Sequence, residues 1–189
     1  MGTDKAGIEI GGLTLARRAA AALVQVAAPV LEVGPARTAL RAVADPGIGP
    51  LGALAAGWEA LSASGTGGPV LVLACDLPLV AAPLLQLLAD HPGEGTVVPV
   101  ADGRPQPLCA RWSRAALARA AGLTAGGERR VSALLALESC VAWLDEAVWA
   151  TVAGPHALDD VDTPGDLERL RGLVPPAWAQ PDPGHQPHP

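Results

Sequence analysis

The side chains able to do chemistry in this chain fall in a few short stretches. Asp76 stands in Ala74-Cys75-Asp76-Leu77-Pro78, directly after the apolar run Pro69-Val-Leu-Val-Leu-Ala74. A carboxylate at the end of such a strand either caps the next helix or holds a metal. Magnesium suits the second case, because it takes one or two carboxylates and completes its shell with phosphate oxygens and water. A second acidic stretch, Asp159-Asp160-Val161-Asp162-Thr163-Pro164, puts Asp160 and Asp162 on one side of an extended segment leading into a helix. They are an N-cap with spare surface charge or, if Asp76 faces the same crevice, a second metal contact. Gly126-Gly127-Glu128-Arg129-Arg130-Val131 places two arginines in what reads as the first turn of a helix, against its dipole. A nearby anion relieves that placement; pairing with Glu128 or an aspartate also would. Lys5, close to Gly2, offers the flexible backbone and ammonium with which a phosphate cradle ends, or is an exposed terminal lysine. Asp45 lies in Asp45-Pro-Gly-Ile-Gly-Pro50, which is too rich in proline and glycine for regular structure and has turn chemistry as its plain explanation.

Other chemistries are poorly supplied. Outside the C-terminal tail the histidines are His91 and His156, both beside proline, and no Gly-x-Ser-x-Gly stretch occurs. The three cysteines, Cys75, Cys109 and Cys140, are widely spaced and form no CxxC pair, which argues against a disulfide framework or zinc site. They read as small buried hydrophobes in a reducing cytosol. Net charge −6 opposes a general nucleic-acid or anionic-membrane binder. No apolar stretch reaches the ~20 residues that span a bilayer, and Asp4 and Glu9 interrupt any signal-like run. The expectation is a cytoplasmic protein with no nucleic-acid or membrane partner. Of the 13 basic residues 12 are arginine, so Lys5 is the sole lysine of a sequence that otherwise nearly excludes it.

The elements that must position these residues alternate in type. Leu15–Ala27 has helical spacing, with Arg17 and Arg18 on another face. Residues 29–33 read as a short strand, 51–64 as a helix, and 69–74 as a strand buried on both faces. A helix over 80–89 follows. Thr96–Ala101 and Pro107–Trp112 read as a strand pair around Asp102-Gly103. Helices near 113–121 and 128–137, a strand at 139–144 and a last helix over 164–173 complete the pattern, the last with Thr163 before it and Pro164 at its first position. Such alternation predicts a Rossmann-like three-layer α/β/α fold with a mostly parallel sheet, over one domain at 1–174. The Pro-rich tail 175–189, with His185 and His188, is expected to be disordered.

In order along the chain, these stretches resemble the molybdenum cofactor guanylyltransferases and their nucleotidyltransferase relatives. That family opens with a signature of the form LAGGxSxRMGxDK, of which Met1-Gly2-Thr3-Asp4-Lys5 matches the second half. Asp45-Pro46 with Gly49-Pro50-Leu51-Gly52 is similar to its guanine-nucleotide loop, Cys75-Asp76-Leu77-Pro78 to its metal-binding strand end, and Gln106-Pro107-Leu108 to its substrate-side segment. Gly127-Glu128-Arg129-Arg130-Val131 resembles a stretch associated with the molybdenum cofactor branch, and Asp160-Val161-Asp162-Thr163-Pro164 the closing motif.

The resemblance implies a nucleotidyltransferase-type fold and a magnesium-dependent transfer of GMP from GTP to the phosphate of a molybdopterin-type acceptor, with release of pyrophosphate. Lys5 and Asp76 would be catalytic, and Lys5, Asp45 and Asp76 would bind nucleotide. Asp76 would hold Mg²⁺, helped by Asp160 or Asp162, while Arg129, Arg130 and Gln106 would take the pterin. Molybdoenzymes or cofactor-carrier proteins would be further partners. The family's first strand and phosphate-cradling loop have no counterpart in the sequence. This predicts either a polypeptide that begins roughly 10–20 residues earlier, one strand and one loop, or a degraded copy; the intact downstream motifs favour the former. The alternatives are a cytidylyltransferase acting on the same or another phosphorylated acceptor, and an inactive nucleotide-binding remnant.

Overall fold

The computed structural model describes residues 5–174. Its strands are β1 (Glu9–Ile10), β2 (Leu13–Thr14), β3 (Leu31–Val33), β4 (Arg41–Val43), β5 (Val70–Leu73), β6 (Thr96–Ala101), β7 (Arg104–Pro105), β8 (Cys109–Trp112) and β9 (Val141–Leu144). Its α-helices are α1 (Leu15–Leu23), α2 (Pro50–Ala63), α3 (Ala82–Ala89), α4 (Arg114–Ala125), α5 (Val131–Ala136), α6 (Glu146–Ala153) and α7 (Pro164–Arg171).

Period-two alternation explains the layers. On β6, Val97 packs with Leu84, Leu85, Leu88 and Trp149, whereas its neighbour Val98 packs with Leu54, Trp112, Leu117 and Leu134. On β8, Cys109 joins the first group and Ala110 the second. Helices α3 and α6 therefore cover one face of the sheet, and α2, α4 and α5 the other. The two largest core side chains keep their indole N–H groups satisfied: Trp112 donates to the Pro107 carbonyl and Trp149 to that of Val100, each at 2.9 Å. Burying a tryptophan in this way combines a large apolar area with a bonded polar tip.

The three-layer α/β architecture stands, but its ladders are mixed rather than mostly parallel. Strand β8 lies between β5 and β6 and runs antiparallel to both, while β6 pairs β9 in parallel. The turn at Asp102-Gly103 has positive φ at both residues, 49° and 71°, as a tight two-residue hairpin requires. It closes onto the short β7, and the chain returns to the sheet only at Cys109. Strand β4 and helix α6 are elements that periodicity did not announce.

The sheet is interrupted. β3 and β4 form a separate parallel pair, in register Leu31↔Arg41 to Val33↔Val43. β5 is hydrogen-bonded to β8 alone among the described residues. All four residues of β5 are only half-buried, against the expectation of a strand covered on both faces. The cause is a cavity of about 610 Å³ along its open edge, with β3 on the far side.

Candidate functional site

Lys5 is placed by local structure. It starts a single turn of 3₁₀-helix over Lys5–Gly7, closed by Ile8 N–H donating to the Lys5 carbonyl at 3.0 Å. The hairpin β1–β2 follows, and Arg18 pins it. Sequence periodicity put Arg18 on another face of its helix than the apolar residues; it is nevertheless buried, its guanidinium donating to the carbonyls of Ile10 and Gly11. Burial disfavours the charge and lowers its pKa from the usual arginine range, yet those bonds make it the clamp between α1 and the hairpin. Helix α1 itself begins where Thr14 accepts from the Arg17 N–H, an ordinary N-cap.

Two distant stretches then converge on Lys5. The Val161 N–H donates to the Asp76 carbonyl at 2.9 Å, docking the acidic segment against the end of β5. Val161 is fully buried with Ile10, Leu15, Leu79 and Leu170, so alternation turns Asp160 and Asp162 outward together. The Lys5 ammonium donates to Asp162 Oδ1 at 2.5 Å and lies 3.8 Å from Asp76 Oδ2. The bond to Asp162 raises the Lys5 pKa, against partial desolvation and with help from the charges of Asp162, Asp76 and Asp160. Asp160 is pushed up from the ordinary carboxylate range by desolvation first, then by its neighbours Asp162 and Asp76. One ammonium is thus set among three carboxylates.

The capping explanations separate cleanly. Asp76 caps nothing, since α3 starts six residues later behind Ala81. At α7 the cap is Thr163, in a reciprocal box with Asp166, which frees Asp162 for Lys5. Asp159 has structural duties, accepting from Arg169 at 2.5 Å and facing His156 at 3.1 Å.

Asp45 lies just past the end of β4, as Asp76 does past β5, and both line the mouth of the same cavity as Lys5. This is the side of an open sheet, beyond the carboxyl ends of its strands, where ligands are expected. Asp45 is exposed, and its Oδ1 accepts from the Gly47 N–H at 2.8 Å. Sequence reasoning missed one residue here: Glu32, in β3, also borders the cavity. Burial opposes its ionisation, but the N–H groups of Arg37 and Thr38 and the Thr38 hydroxyl together hold it below the usual carboxylate range. A glutamate flanked by two apolar strand residues gives no sequence sign of this.

The arginine pair departs from its expected setting. Helix α5 starts at Val131, so Arg129 and Arg130 precede it rather than filling its first turn. Glu128 is the reason: its Oε1 accepts from both arginine N–H groups and from the Arg130 side chain, holding the backbone out of the helix. The Arg130 guanidinium and these N–H bonds take the Glu128 carboxyl down to about 2. Arg129 is exposed and in no ion pair among the described residues. Its carbonyl accepts from Leu51 N–H at 3.1 Å, so the arginine loop touches the start of α2 beside the Asp45 loop. Gln106 is half-buried, and its N–H donates to the Pro99 carbonyl at the other end of the sheet's β6–β8 region. It is not among the residues lining the cavity. Of the cysteines, Cys109 is buried as expected but Cys140 is exposed. Residues 1–4, with Gly2 and Asp4, and the tail 175–189, with His185 and His188, lie outside the described residues.

A family profile described as MobA-like NTP transferase domain matches residues 1–141. A protein of Chloroflexus aggregans named "Probable molybdenum cofactor guanylyltransferase" is 32% identical, over 92% of this chain and 88% of its own length. One of the same name from Deinococcus radiodurans is 34% identical, over 67% of this chain and 62% of its own. Among solved structures, molybdopterin-guanine dinucleotide biosynthesis protein A of Archaeoglobus fulgidus superposes with a TM-score of 0.73 at 20% identity, covering 91% of each chain. That last likeness is one of fold. No helix among the described residues is long and apolar enough to cross a membrane.

Proposed function

The chain belongs to the MobA-like NTP transferase family, and on that basis we infer that it transfers GMP from GTP to the terminal phosphate of a molybdopterin-type acceptor. The acceptor's phosphate oxygen forms a bond to the α-phosphorus, the bond from that phosphorus to the bridging oxygen breaks, and pyrophosphate leaves. A phosphate monoester is already largely ionised at neutral pH, its second pKa being about 6. No general base is therefore needed, and catalysis reduces to alignment and charge neutralisation. The observation that carries the reading is the Lys5 ammonium set between Asp76 and Asp162 at the mouth of the cavity.

Among the described residues no three His, Cys, Asp or Glu side chains form a metal cage of their own. That fits magnesium, which asks a protein for one or two carboxylates. Asp76, with Asp162 or Asp160, would hold it, and the ion would offset the charge of the triphosphate. Lys5 has three N–H donors, of which one is given to Asp162, leaving others for phosphate oxygens. Asp45, oriented by the Gly47 N–H, retains acceptor capacity for the N–H edge of guanine. Arg129, which has no competing carboxylate among the described residues, is the stronger candidate for the anionic pterin, and Arg130 the weaker because Glu128 already holds it. Gln106, outside the cavity lining, would be a more distant acceptor-side contact.

The test follows label from [α-³²P]GTP onto molybdopterin with magnesium, alongside pyrophosphate release. Equal amounts of labelled acceptor and pyrophosphate are expected, with Lys5→Gln slowing transfer by about 10²–10³, as for loss of one preorganised donor. Faster transfer from CTP would replace the guanylyl reading with the cytidylyl one. Failure of a natively folded chain to bind either nucleotide at millimolar concentration would remove both.

A further inference from the structure

Strand β9 ends the sheet on the side away from β5. It is hydrogen-bonded to β6 alone among the described residues, so its outer edge presents a row of backbone N–H and C=O groups. Folded chains guard such an edge with charge or proline, because it is a template for another strand. β4 and β7, each likewise paired on one side, follow that rule: β4 begins with exposed Arg41, and β7 is the exposed pair Arg104-Pro105. β9 does not. The run Ser139-Cys-Val-Ala-Trp-Leu144, from Glu138 to Asp145, holds no charge and no proline. Its side chains are as unguarded as its backbone. Register with β6 puts Trp143 beside Val98 on the α5 face, where Trp143 is 51% exposed and Leu137, at the end of α5, 53%. On the opposite face α6 follows β9 and packs on β6 and α3, while its Val148 and Val152, one turn apart, are each 47% exposed. Together these four leave about 400 Å² of apolar side chain in water, a size at which exposed apolar surface marks an interaction site.

We propose that this edge joins a second copy of the chain, β9 pairing antiparallel with the partner's β9 about a two-fold axis at Ala142. A two-fold perpendicular to the sheet keeps each face on its own side. Paired residues must therefore share a face, which puts a residue of β9, and not a peptide bond, on the axis. With Ala142 there, Val141 lies opposite the partner's Trp143, a β-branched side chain against an aromatic one, and all four residues of β9 are paired. Charge favours the same direction. Asp145 and Glu146 are exposed at the carboxyl end of β9. Antiparallel pairing sends the two acidic ends apart and sets each beside the partner's neutral Ser139, whereas parallel pairing would bring them together. Area agrees as well. Two copies cover about 800 Å² of these side chains, and the newly paired backbone brings the total near the ~1,000 Å² that a specific interface needs. A foreign strand would satisfy the backbone but leave α6 or Leu137 in water. A copy brings its own α6 and Trp143 and covers both faces, and such a contact needs only one kind of surface. β8 and β6 stand between β9 and β5, so pairing leaves the candidate site open and does not depend on the guanylyl reading.

Sedimentation velocity of the 189-residue chain from about 1 to about 300 µM is expected to show a monomer–dimer equilibrium. Trp143→Lys, which supplies the missing guard, should weaken association at least tenfold while the variant keeps a cooperative melt, because Trp143 is half exposed. Val148→Lys should weaken it from α6, and serves if the first variant does not fold. Cross-linking fixes the axis. In a Cys140→Ser background, Ala142→Cys should form an intermolecular disulfide on mild oxidation, since directly opposed residues stand about 4.5–5.5 Å apart at Cα. Trp143→Cys should not, its two copies being about 7–8 Å apart. Peptide mass spectrometry identifies the bond. A monomer at every concentration overturns the proposal. So does association that both lysine variants leave unchanged, which would place the contact elsewhere, and so does cross-linking through Trp143→Cys in preference to Ala142→Cys. Slow hydrogen exchange of the outward β9 amides at every dilution of a monomer would mean that another part of the same chain covers the edge, and also overturns it.

Discussion

Gly49→Ala is the substitution whose cost the structure defines most closely. Gly49 precedes α2 with φ +92° and ψ 174°, a region open essentially to glycine alone, where a side chain costs about 1–3 kcal/mol. A methyl group there would also stand 3.0 Å from Arg129 Cβ and 3.1 Å from the Arg129 carbonyl oxygen. Relief requires the two loops to separate, and separation breaks the bond from Leu51 N–H to that carbonyl, worth about 1 kcal/mol. Together these predict a loss of about 2–4 kcal/mol. With a urea m-value of about 2 kcal/mol/M, the midpoint should fall by about 1–2 M. Gly47→Ala is the internal control: its φ is +71° but no atom lies within 4 Å of the added methyl, so only a backbone cost of about 1 kcal/mol is expected. The difference between the two variants reports the contact with Arg129 together with the less accessible backbone region of Gly49. Equal midpoints for both would refute the argued contact between the Asp45 and arginine loops, and a Gly49→Ala midpoint within 0.2 M of the unaltered chain would refute the strain as well.

Other expectations follow from single groups. The buried Arg111 guanidinium donates to the carbonyls of Ala89, His91, Gly93 and Gly95; Arg111→Ala should cost about 2–4 kcal/mol, and Arg111→Lys should recover only part, because an ammonium cannot span the same carbonyls. Thermal melting decides this, and an Arg111→Lys melt matching the unaltered chain would refute it. With Cys75 replaced by serine, a thiol reagent such as Ellman's should modify Cys140 rapidly and Cys109 only on unfolding, since Cys109 is fully buried and desolvation pushes its thiol up to about 12; a fast phase that survives Cys140→Ser in that background would sink this assignment. Glu128 is held at about 2 by Arg130 and the two N–H groups. A depressed carboxylate contributes stability above its ordinary pKa of about 4.3 and loses it as pH falls through the folded value. The Arg129 and Arg130 amide resonances should therefore hold steady from pH 7 to about 3.5 and move only below, whereas a midpoint near 4 would contradict the clasp.

Much of the candidate site's arrangement was legible in the sequence because the side chains it gathers come from short contiguous stretches. Cys75-Asp76 follows an apolar run, and the Asp160/Asp162 alternation survives in the structure because buried Val161 fixes the phase. The Thr163–Pro164 start of α7 was legible for the same reason, since a capping box is a local device. What escaped depends on distant partners. Arg18 looks like a surface residue until the Ile10 carbonyl is placed beside it, and the arginine pair looks helical until Glu128 is seen to take its N–H groups. Strand β4, three residues with two of them exposed, has too little apolar pattern to signal itself. The half-burial of β5 depended on which strands neighbour it, and no periodicity records that.

The split sheet divides the candidate site. Asp45 is carried by the β3–β4 half and Asp76 by the β5 half, and no backbone ladder joins the two among the described residues. Their contact runs through helix packing: α2 lies against β3 and α4, while α1 touches β5. The β3–β4 pair has three residues per strand, none of them buried, whereas Val97, Val98, Cys109 and Trp112 of the other half are fully buried. Regions with short ladders and little burial open below the global unfolding free energy. In the 189-residue chain, amides paired within β3–β4, such as the Gly34 N–H that donates to the Val43 carbonyl, should therefore exchange at least tenfold faster than those of β6 and β8, a difference of about 1.4 kcal/mol or more. Mild denaturant should leave their exchange nearly unchanged while accelerating that of β6 and β8, because local opening exposes little surface. Uniform protection across both halves, with a common denaturant slope, would show that helix packing alone makes them one cooperative unit. The spacing of Asp45 from Asp76 would then be fixed without any strand between them.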